Sequence, residues 1–421
     1  MIRRRSAMGD LLMRIGQTGS FAAAFALAAL IPAQGFAQDD ERNVGVQERS
    51  RPEYDPMGLR FGGFDLNASL EVNAEHNDNL FAAPADSQSD MIYTASPQAT
   101  LGSHWSRHAL VVLAGGSTNK HDKYDSENYS TAYISAYGRV DISDDTKLSG
   151  NVRIAHEVEP RTDPGSAQTL PEPVRYDHED ASVTLQQTFN RVRVSATAST
   201  SDYDYKDAGA VDQDFRDDTV NSITGRVEVA VSPRLAVVGQ VTGDKREFDN
   251  APGLSSDGHT ILVGVHMDIS NLIRGEVTVG QFSEDYKVGG KVDGTALSGN
   301  VEWFVTGLTT VTLNAHRDVQ TATATVATPY VDTRWGVRVD HELLRNLIVS
   351  ADLGREKREF EPPVVREDQT DYADAELKYL MNRRVALRLT YSHERNDSSG
   401  TPDPQRDFDV NRLLAGIIFR L

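Results

Sequence analysis

Hydrophobic and polar residues alternate without a break over residues 64–75, FDLNASLEVNAE, where every even position is apolar and every odd position is polar or acidic. Because successive side chains of a β-strand point to opposite faces, this segment predicts a strand with one apolar and one polar face. In a soluble sandwich the apolar face would enter a core. In an outer-membrane barrel it would face lipid, and the polar face would line a lumen.

The alternation continues to the end of the chain and is interrupted by polar breaks of two lengths. The longer breaks, such as residues 158–174, 202–218 and 285–295, predict loops. Two strands around each of nine such loops give eighteen strands, and an even number leaves both termini on the side of the short turns. The short breaks, which predict tight turns, are residues 106–107, 143–145, 190–191, 232–233, 270–271, 306–307, 343–345 and 382–383.

Charged residues in mid-strand distinguish the barrel from its soluble rivals. Arg226 and Glu228 alternate with Val227 and Val229, and such charges would be costly in a sandwich core but are solvated in a lumen. A propeller blade repeats at a similar length, but it divides that length into four short strands, whereas each repeat here holds two long ones. The sequence therefore predicts an all-β fold, a transmembrane up-and-down antiparallel β-barrel of about eighteen strands with short periplasmic turns and longer extracellular loops.

The first 58 residues lack this alternation and are predicted to lie outside the barrel. Residues 1–37 have the pattern of a signal peptide, since three arginines precede an apolar stretch at 21–31 and small residues precede Gln38. Residues 38–58 are charged and contain two prolines, which predicts a disordered periplasmic lead-in. Residues 59–421 would then form the barrel. These boundaries predict export through the periplasm to a bacterial outer membrane.

Composition and motifs narrow the chemistry further. The net charge of −19 argues against a nucleic-acid partner, and the absence of cysteine excludes a disulfide framework and thiolate metal sites. Histidine lies beside a carboxylate at His178-Glu179-Asp180 and at His341-Glu342, but adjacent strand residues face opposite sides, so we expect solvated or turn positions there. The sequence assigns no catalytic residue, cofactor or metal. An outer-membrane hydrolase, with such groups converging from neighbouring strands, is the less favoured alternative.

Several short motifs, in order along the chain, resemble those of the Putative beta-barrel porin 2 family. Residues 413–421, LLAGIIFRL, also resemble the signal that ends outer-membrane barrels, which implies recognition by the barrel assembly machinery. The family resemblance implies an outer-membrane protein with a role in polysaccharide export, because family members often lie among exopolysaccharide genes. It supplies no catalytic residues. The motifs that carry it are NDNLF at 77–81, WSRHAL at 105–110, LSG at 148–150, GLTTVT at 307–312 and DHELLRNL at 340–347.

The alternation also predicts which charged side chains line the lumen. Cations concentrate on the last five strands, opposite the acidic residues of the first strand, and this would create a transverse field that guides anionic or polar sugar chains. The alternative is that these charges pair with one another. The predicted pore-lining residues are Glu71, Glu75, Arg153, Arg193, Arg226, Glu228, Arg274, Glu276, Glu302, Arg334, Arg338, Asp352, Glu376, Lys378, Arg388 and Arg412.

We therefore expect a channel for export or passage of exopolysaccharide across the outer membrane. A general diffusion porin for small polar solutes and a structural or adhesive barrel with a plugged lumen are the alternatives. The expected partners are outer-membrane lipid and lipopolysaccharide, which the acidic loop at 202–218 would reach through divalent cations, together with polysaccharide and periplasmic export components. Conductance would separate a channel from a plug, and sugar retention in a deletion strain would separate export from general diffusion.

Overall fold

The computed structural model describes residues 44–163, 170–269, 272–322, 328–362, 364–401 and 406–421. Within these ranges the chain forms one antiparallel sheet of nineteen strands. The predicted signal peptide, residues 1–37, lies outside the described residues. The strands are β1 (Leu59–Phe61), β2 (Phe64–Asn77), β3 (Asp90–Ser103), β4 (Ala109–His121), β5 (Tyr129–Asp141), β6 (Thr146–Val158), β7 (Arg175–Phe189), β8 (Val192–Lys206), β9 (Asp218–Ser232), β10 (Leu235–Phe248), β11 (Ser256–Ile269), β12 (Ile273–Tyr286), β13 (Gly290–Thr306), β14 (Thr309–Ala322), β15 (Thr328–Leu344), β16 (Leu347–Phe360), β17 (Val365–Leu380), β18 (Val385–Thr401) and β19 (Phe408–Arg420).

Eighteen of these strands, β2 to β19, close into a barrel, which confirms the predicted fold. The last strand of the barrel, β19, pairs with its first strand, β2, from Arg412 opposite Asn77 to Arg420 opposite Ser69. Closure satisfies the backbone hydrogen bonds of the wall within the sheet, as a bilayer requires. Eighteen strands about 4.8 Å apart and tilted by about 40° enclose a backbone cylinder roughly 35 Å across, which is wide enough for an aqueous lumen.

The outer face of the wall is apolar, and the inner face is polar. On β16, Leu353 is 55% exposed, whereas Ser350, on the other face, is 2% exposed. On β9 the outward apolar positions run from Val231 to Ile223. At a tilt of about 40° this stretch spans about 20 Å along the membrane normal, close to the height of the apolar band of outer-membrane barrels. The exposed apolar face is therefore the lipid surface.

Wherever the structure describes them, the short turns lie at or next to their predicted positions, whereas several outer loops are shorter than predicted. The turn predicted at 270–271 lies outside the described residues. The predicted loop at 285–295 lies almost entirely within β12 and β13, which remain paired from Glu284 opposite Val292 to Tyr286 opposite Gly290. The strands continue beyond the apolar band, where their outward face meets water instead of lipid. The alternation therefore ends before the hydrogen-bonded ladder ends, and the sequence pattern cannot show this extension.

Three short 3-10 turns, at Asp125–Glu127, Asp214–Arg216 and Pro252–Leu254, lie in the outer connections. Across the described part of the chain, no helix combines the length and the apolar character needed to cross a bilayer.

Candidate pore and its closures

The sixteen predicted pore-lining residues all occupy inward positions of the wall. Each alternates along its strand with outward apolar residues, as Arg153 does between Val152 and Ile154, which are 53% and 55% exposed. Glu302 likewise precedes Trp303, which is 47% exposed. The backbone thus directs these side chains toward the lumen, and their role in transport stays a prediction.

The late cations do not form the uncompensated basic wall that a transverse field would need. Arg388 pairs with Glu71 across the barrel seam. The Arg412 Nη1 atom lies 3.2 Å from Glu394 Oε2. Because opposite charges at this distance largely cancel beyond a few ångströms in salt, the lining there is polar with little net field. Charge pairing, the alternative weighed from the sequence, describes these residues.

Arg338 shows the same pairing within one hairpin. Its Nη2 atom lies 3.1 Å from Asp340 Oδ1, and its Nη1 atom lies 3.6 Å from Asp352 Oδ2. Arg338 and Asp352 are directly opposite each other on β15 and β16. The register of a hairpin with a short turn was therefore a signal from which this pair could have been predicted.

A continuous chain of ion pairs crosses the wall from β8 to β12. Arg193 Nη1 lies 2.9 Å from Glu228 Oε2, and the same carboxylate accepts a hydrogen bond from Arg226 Nε at 2.8 Å. Arg226 Nη2 lies 2.6 Å from Glu276 Oε2, although β10 and β11 lie between their strands, β9 and β12. The side chains thus extend across the inner surface of the wall. This network braces the lumen and presents paired charge to any solute inside it.

Residues 44–57, here the N-terminal segment, lie inside the periplasmic mouth of the barrel. The Val46 backbone N–H donates to Thr310 Oγ1 at 3.0 Å, and the Val46 side chain is fully buried. The Gln47 amide donates to Asp340 Oδ1 at 2.8 Å and to Ser350 Oγ at 2.9 Å. These partners are inward residues of β14, β15 and β16 near the short turns.

The prediction of a disordered lead-in is therefore wrong for residues 44–58, whereas residues 38–43 lie outside the described residues. Several of the charges that indicated disorder pair with the lumen wall. Arg274 pairs with Glu48 at 3.3 Å, and Arg383 Nε donates to the Pro52 carbonyl oxygen at 3.0 Å. Composition alone cannot reveal such partners, because they lie more than two hundred residues away along the chain.

Three arginines at this mouth converge on one carboxylate. Arg51 Nη2 lies 2.9 Å from Glu342 Oε2, and both side chains are almost fully buried. Arg49 and Arg345 each approach the same carboxylate at 3.4 Å. Burial lowers the pKa of the Arg51 guanidinium, while Glu342 opposes that shift. The site therefore holds more positive than negative charge. Glu342 is the carboxylate that offsets the positive charge of these arginines.

A second closure lies at the outer mouth, where the described residues 159–163 and 170–174 of the β6–β7 connection turn inward. Arg161 Nη2 lies 2.6 Å from Glu127 Oε1 in the β4–β5 connection, and both side chains are buried. Arg216 Nη1, from the β8–β9 connection, lies 3.1 Å from Glu159 Oε2. The Arg216 guanidinium also stacks 4.0 Å from the centre of the Tyr205 ring. These contacts join three outer connections across the mouth.

The buried acids of this closure have raised pKa values. Burial raises the pKa of Glu159, and the adjacent Arg216 opposes that shift. Burial, reinforced by neighbouring aspartates, raises the pKa of Asp217 to about 6, although its carboxylate accepts a hydrogen bond from the Tyr205 backbone N–H at 2.7 Å. Nothing in the sequence indicates these pairs beyond the rarity of basic residues in an acidic loop.

The outer half of the β14–β15 hairpin also leaves the wall and enters the lumen. Pairing between β13 and β14 ends at Leu297 opposite Arg317, although both strands continue. Val331, which alternation along β15 would place outward, is buried among Phe282 and Tyr286 from the inner face of β12. The hairpin therefore narrows the lumen from the side opposite the β6–β7 loop.

The histidine positions differ from the prediction. His178 lies in β7, where its Nε2 atom is 3.1 Å from Asp180 Oδ1 and its ring stacks 4.2 Å from the ring of Tyr203. Because His178 and Asp180 are two residues apart on one strand, their side chains share the inner face of the wall. His178 is thus a buried residue and not a solvated one. Glu342 is likewise buried, whereas His341 contacts Thr309 on the other face.

Comparison with known proteins adds to this geometry. The sequence profile of the Putative beta-barrel porin 2 family matches residues 51–421. The chain belongs to this family. The porin is thus an outer-membrane β-barrel with the architecture of a channel, and proteins of this family and fold are channels rather than enzymes. No curated protein sequence matches the porin.

Among solved structures, the porin is similar to three Pseudomonas proteins. OpdK from Pseudomonas aeruginosa, solved with vanillate, has 14% identity and a TM-score of 0.44, over 85% of this chain and 99% of that chain. OccK2 (OpdF) from the same species has 12% identity and a TM-score of 0.47, over 85% and 98%. A BenF-like porin from Pseudomonas fluorescens Pf-5 has 12% identity and a TM-score of 0.46, over 85% and 99%.

Proposed function

We propose that this porin is a gated channel through which polysaccharide crosses the outer membrane, with the N-terminal segment as its periplasmic closure. One observation carries the proposal. The N-terminal segment lies in the mouth of the barrel and is held there mainly by polar contacts. A hydrogen bond between protein groups is worth only about 1 kcal/mol net, because water replaces it when it breaks. The segment can therefore leave its seat while the ladders of the wall stay intact.

The lining supports a carbohydrate as the solute. Sugar hydroxyls donate and accept hydrogen bonds, and the paired charges from Arg193 to Glu276 offer partners of both kinds along the inner wall. Pairing keeps the net field small, so a long polar chain meets no deep electrostatic trap on its way through. The resemblance to a family associated with exopolysaccharide genes supports the choice of polysaccharide over small solutes.

Efflux measurements test this function directly. A strain that lacks the porin should retain its exopolysaccharide in the periplasm, and expression of the wild-type chain should restore secretion. Liposomes loaded with the purified polysaccharide should release it only when they contain the refolded porin. Normal secretion by the deletion strain, together with retention in porin-containing liposomes, would overturn the proposal and leave a structural barrel.

A further inference from the structure

The two ends of the barrel carry opposite charge. The nine outer connections between β2 and β19 contain sixteen carboxylate side chains and five basic ones. The eight short periplasmic turns contain six arginines and two aspartates. The arginines are Arg107, Arg191, Arg234, Arg345, Arg383 and Arg384, and the aspartates are Asp144 and Asp145. A solute in the periplasm therefore meets a basic surface, and a solute outside meets an acidic one.

The basic surface is concentrated at the entrance of the lumen. Arg345 and Arg383 donate to the carbonyl oxygens of Ser50 and Pro52 in the N-terminal segment, at 3.4 Å and 3.0 Å. Because that segment lies within the mouth, both arginines border the entrance. Arg345 is about half exposed and shares Glu342 with two other arginines, so its charge is only partly compensated.

We propose that Arg345 and Arg383, with Arg49 beside them, form the docking site for a polyanionic polysaccharide that enters from the periplasm. The inference rests on the proposed function and names its substrate class, a glycan that bears carboxylate or phosphate groups. Arginine binds both groups through paired N–H donors. An anionic group at Arg49 and Arg345 competes with Glu342 for them, so docking loosens the N-terminal segment at the point where the chain must enter.

The charge polarity also makes the two ends of the barrel unequal in capturing an anionic chain. A basic entrance raises the local concentration of an anionic chain and its association rate by about 10-fold to 1,000-fold. The acidic outer connections repel the same chain, so its capture from the outside is slower. Since the Debye length at physiological salt is about 8 Å, the attraction acts near the mouth and weakens as salt is added.

Single-channel recording with two matched polymers tests the proposal. The refolded porin is inserted in one orientation into a zwitterionic bilayer, and oligogalacturonate or neutral dextran of equal length is added on the side of the short turns. We expect frequent current blockades with oligogalacturonate, which become rarer as salt rises. In R345Q/R383Q the blockade frequency should fall about tenfold, whereas R345K/R383K should retain it and dextran should be unaffected.

The matched control removes two arginines from the outer half of the wall. Arg355 and Arg395 are exposed and each pairs with an aspartate, so R355Q/R395Q should block as often as the wild type. Equal blockade by dextran and oligogalacturonate, or unchanged blockade in R345Q/R383Q, would overturn the inference alone. A loss that appears only in bilayers with anionic phospholipid would assign the arginines to lipid headgroups instead. No blockade by either polymer in the wild-type pore would overturn the proposed function as well.

Discussion

Replacing Glu342 by glutamine should release the N-terminal segment while leaving the barrel folded. The carboxylate is 4% exposed and holds Arg51, which is 3% exposed, at 2.9 Å. Removing one partner of such a buried pair costs about 3–5 kcal/mol, because the other charge stays buried without compensation. Since 1.4 kcal/mol corresponds to a factor of ten, the ratio of closed to open mouths should fall by roughly 100-fold to 4,000-fold.

This loss of free energy should weaken the binding of the N-terminal segment in the mouth and should not destabilise the wall of the barrel. The backbone of residue 342 pairs opposite Ile348 on β16, and this pairing does not involve the Glu342 side chain. Open probability in planar bilayers measures the mouth, and limited trypsin digestion reports release, because cleavage after Arg49 needs the segment to leave its seat. We expect E342Q to open more often and to be cut at Arg49 faster than the wild type.

Asp352→Asn provides the control for this experiment. Asp352 is also an inward carboxylate, lies 3.6 Å from Arg338, and does not belong to the arginine cluster around Glu342. D352N should therefore behave like the wild type in both assays. Heat-modifiable gel mobility shows whether E342Q folds. If the folded E342Q matches the wild type in open probability and in trypsin resistance, the contacts of the N-terminal segment with the wall do not close the mouth.

Three further predictions concern the outer mouth and Gly58, the residue between the N-terminal segment and β1, here called the hinge. Arg161→Gln leaves buried Glu127 without its ion-pair partner at 2.6 Å. Hydrogen exchange in the β4–β5 connection should therefore rise by an amount equivalent to about 3 kcal/mol of lost protection. Unchanged exchange would contradict the outer closure. The raised pKa of Asp217, about 6 against an ordinary 3.8, means that the folded β8–β9 connection binds the proton more tightly than the unfolded one. Its stability should therefore fall as pH rises from about 4 to 6, and Asp217→Asn should remove this dependence, as hydrogen exchange across that range would show. At Gly58, whose φ is +64°, an added Cβ would lie 2.8 Å from the Leu66 carbonyl oxygen, so Gly58→Ala should strain the hinge by about 1–3 kcal/mol and increase trypsin cleavage at Arg49.

The strands of the wall could be predicted from sequence because lipid on one side and water on the other impose a strict period of two. The strand that begins at Phe64 shows this most clearly, and the inward positions of Arg153 and Glu302 follow from the same rule. Direct cross-strand pairs such as Arg193 with Glu228 could have been predicted too, once neighbouring strands were aligned by their turns. Above the apolar band the rule no longer applies, which is why the ends of β12 and β13 were mistaken for a loop.

The closures could not be predicted, because they depend on contacts between segments that are distant in sequence. Arg51 and Glu342 are 291 residues apart, and nothing near either residue indicates the other. A charged, proline-containing segment has the composition of a disordered linker, and only the complementary charges of the lumen give it a fixed position. The burial of Arg216 against Glu159 has the same origin, since the two residues are 57 positions apart and belong to different connections.

The most direct test of a gated channel is a reversible lock on the N-terminal segment. A Cβ atom at Gly45 would lie 3.9 Å from Thr310 Oγ1, so the double variant G45C/T310C should form a disulfide, and the chain has no other cysteine to interfere. We predict that the oxidised pore stays closed in planar bilayers even with polysaccharide present. Reduction with dithiothreitol should raise its conductance at least to that of the wild type, because T310C also removes the hydroxyl that accepts from the Val46 N–H. Equal conductance of the oxidised and reduced pores would contradict the account.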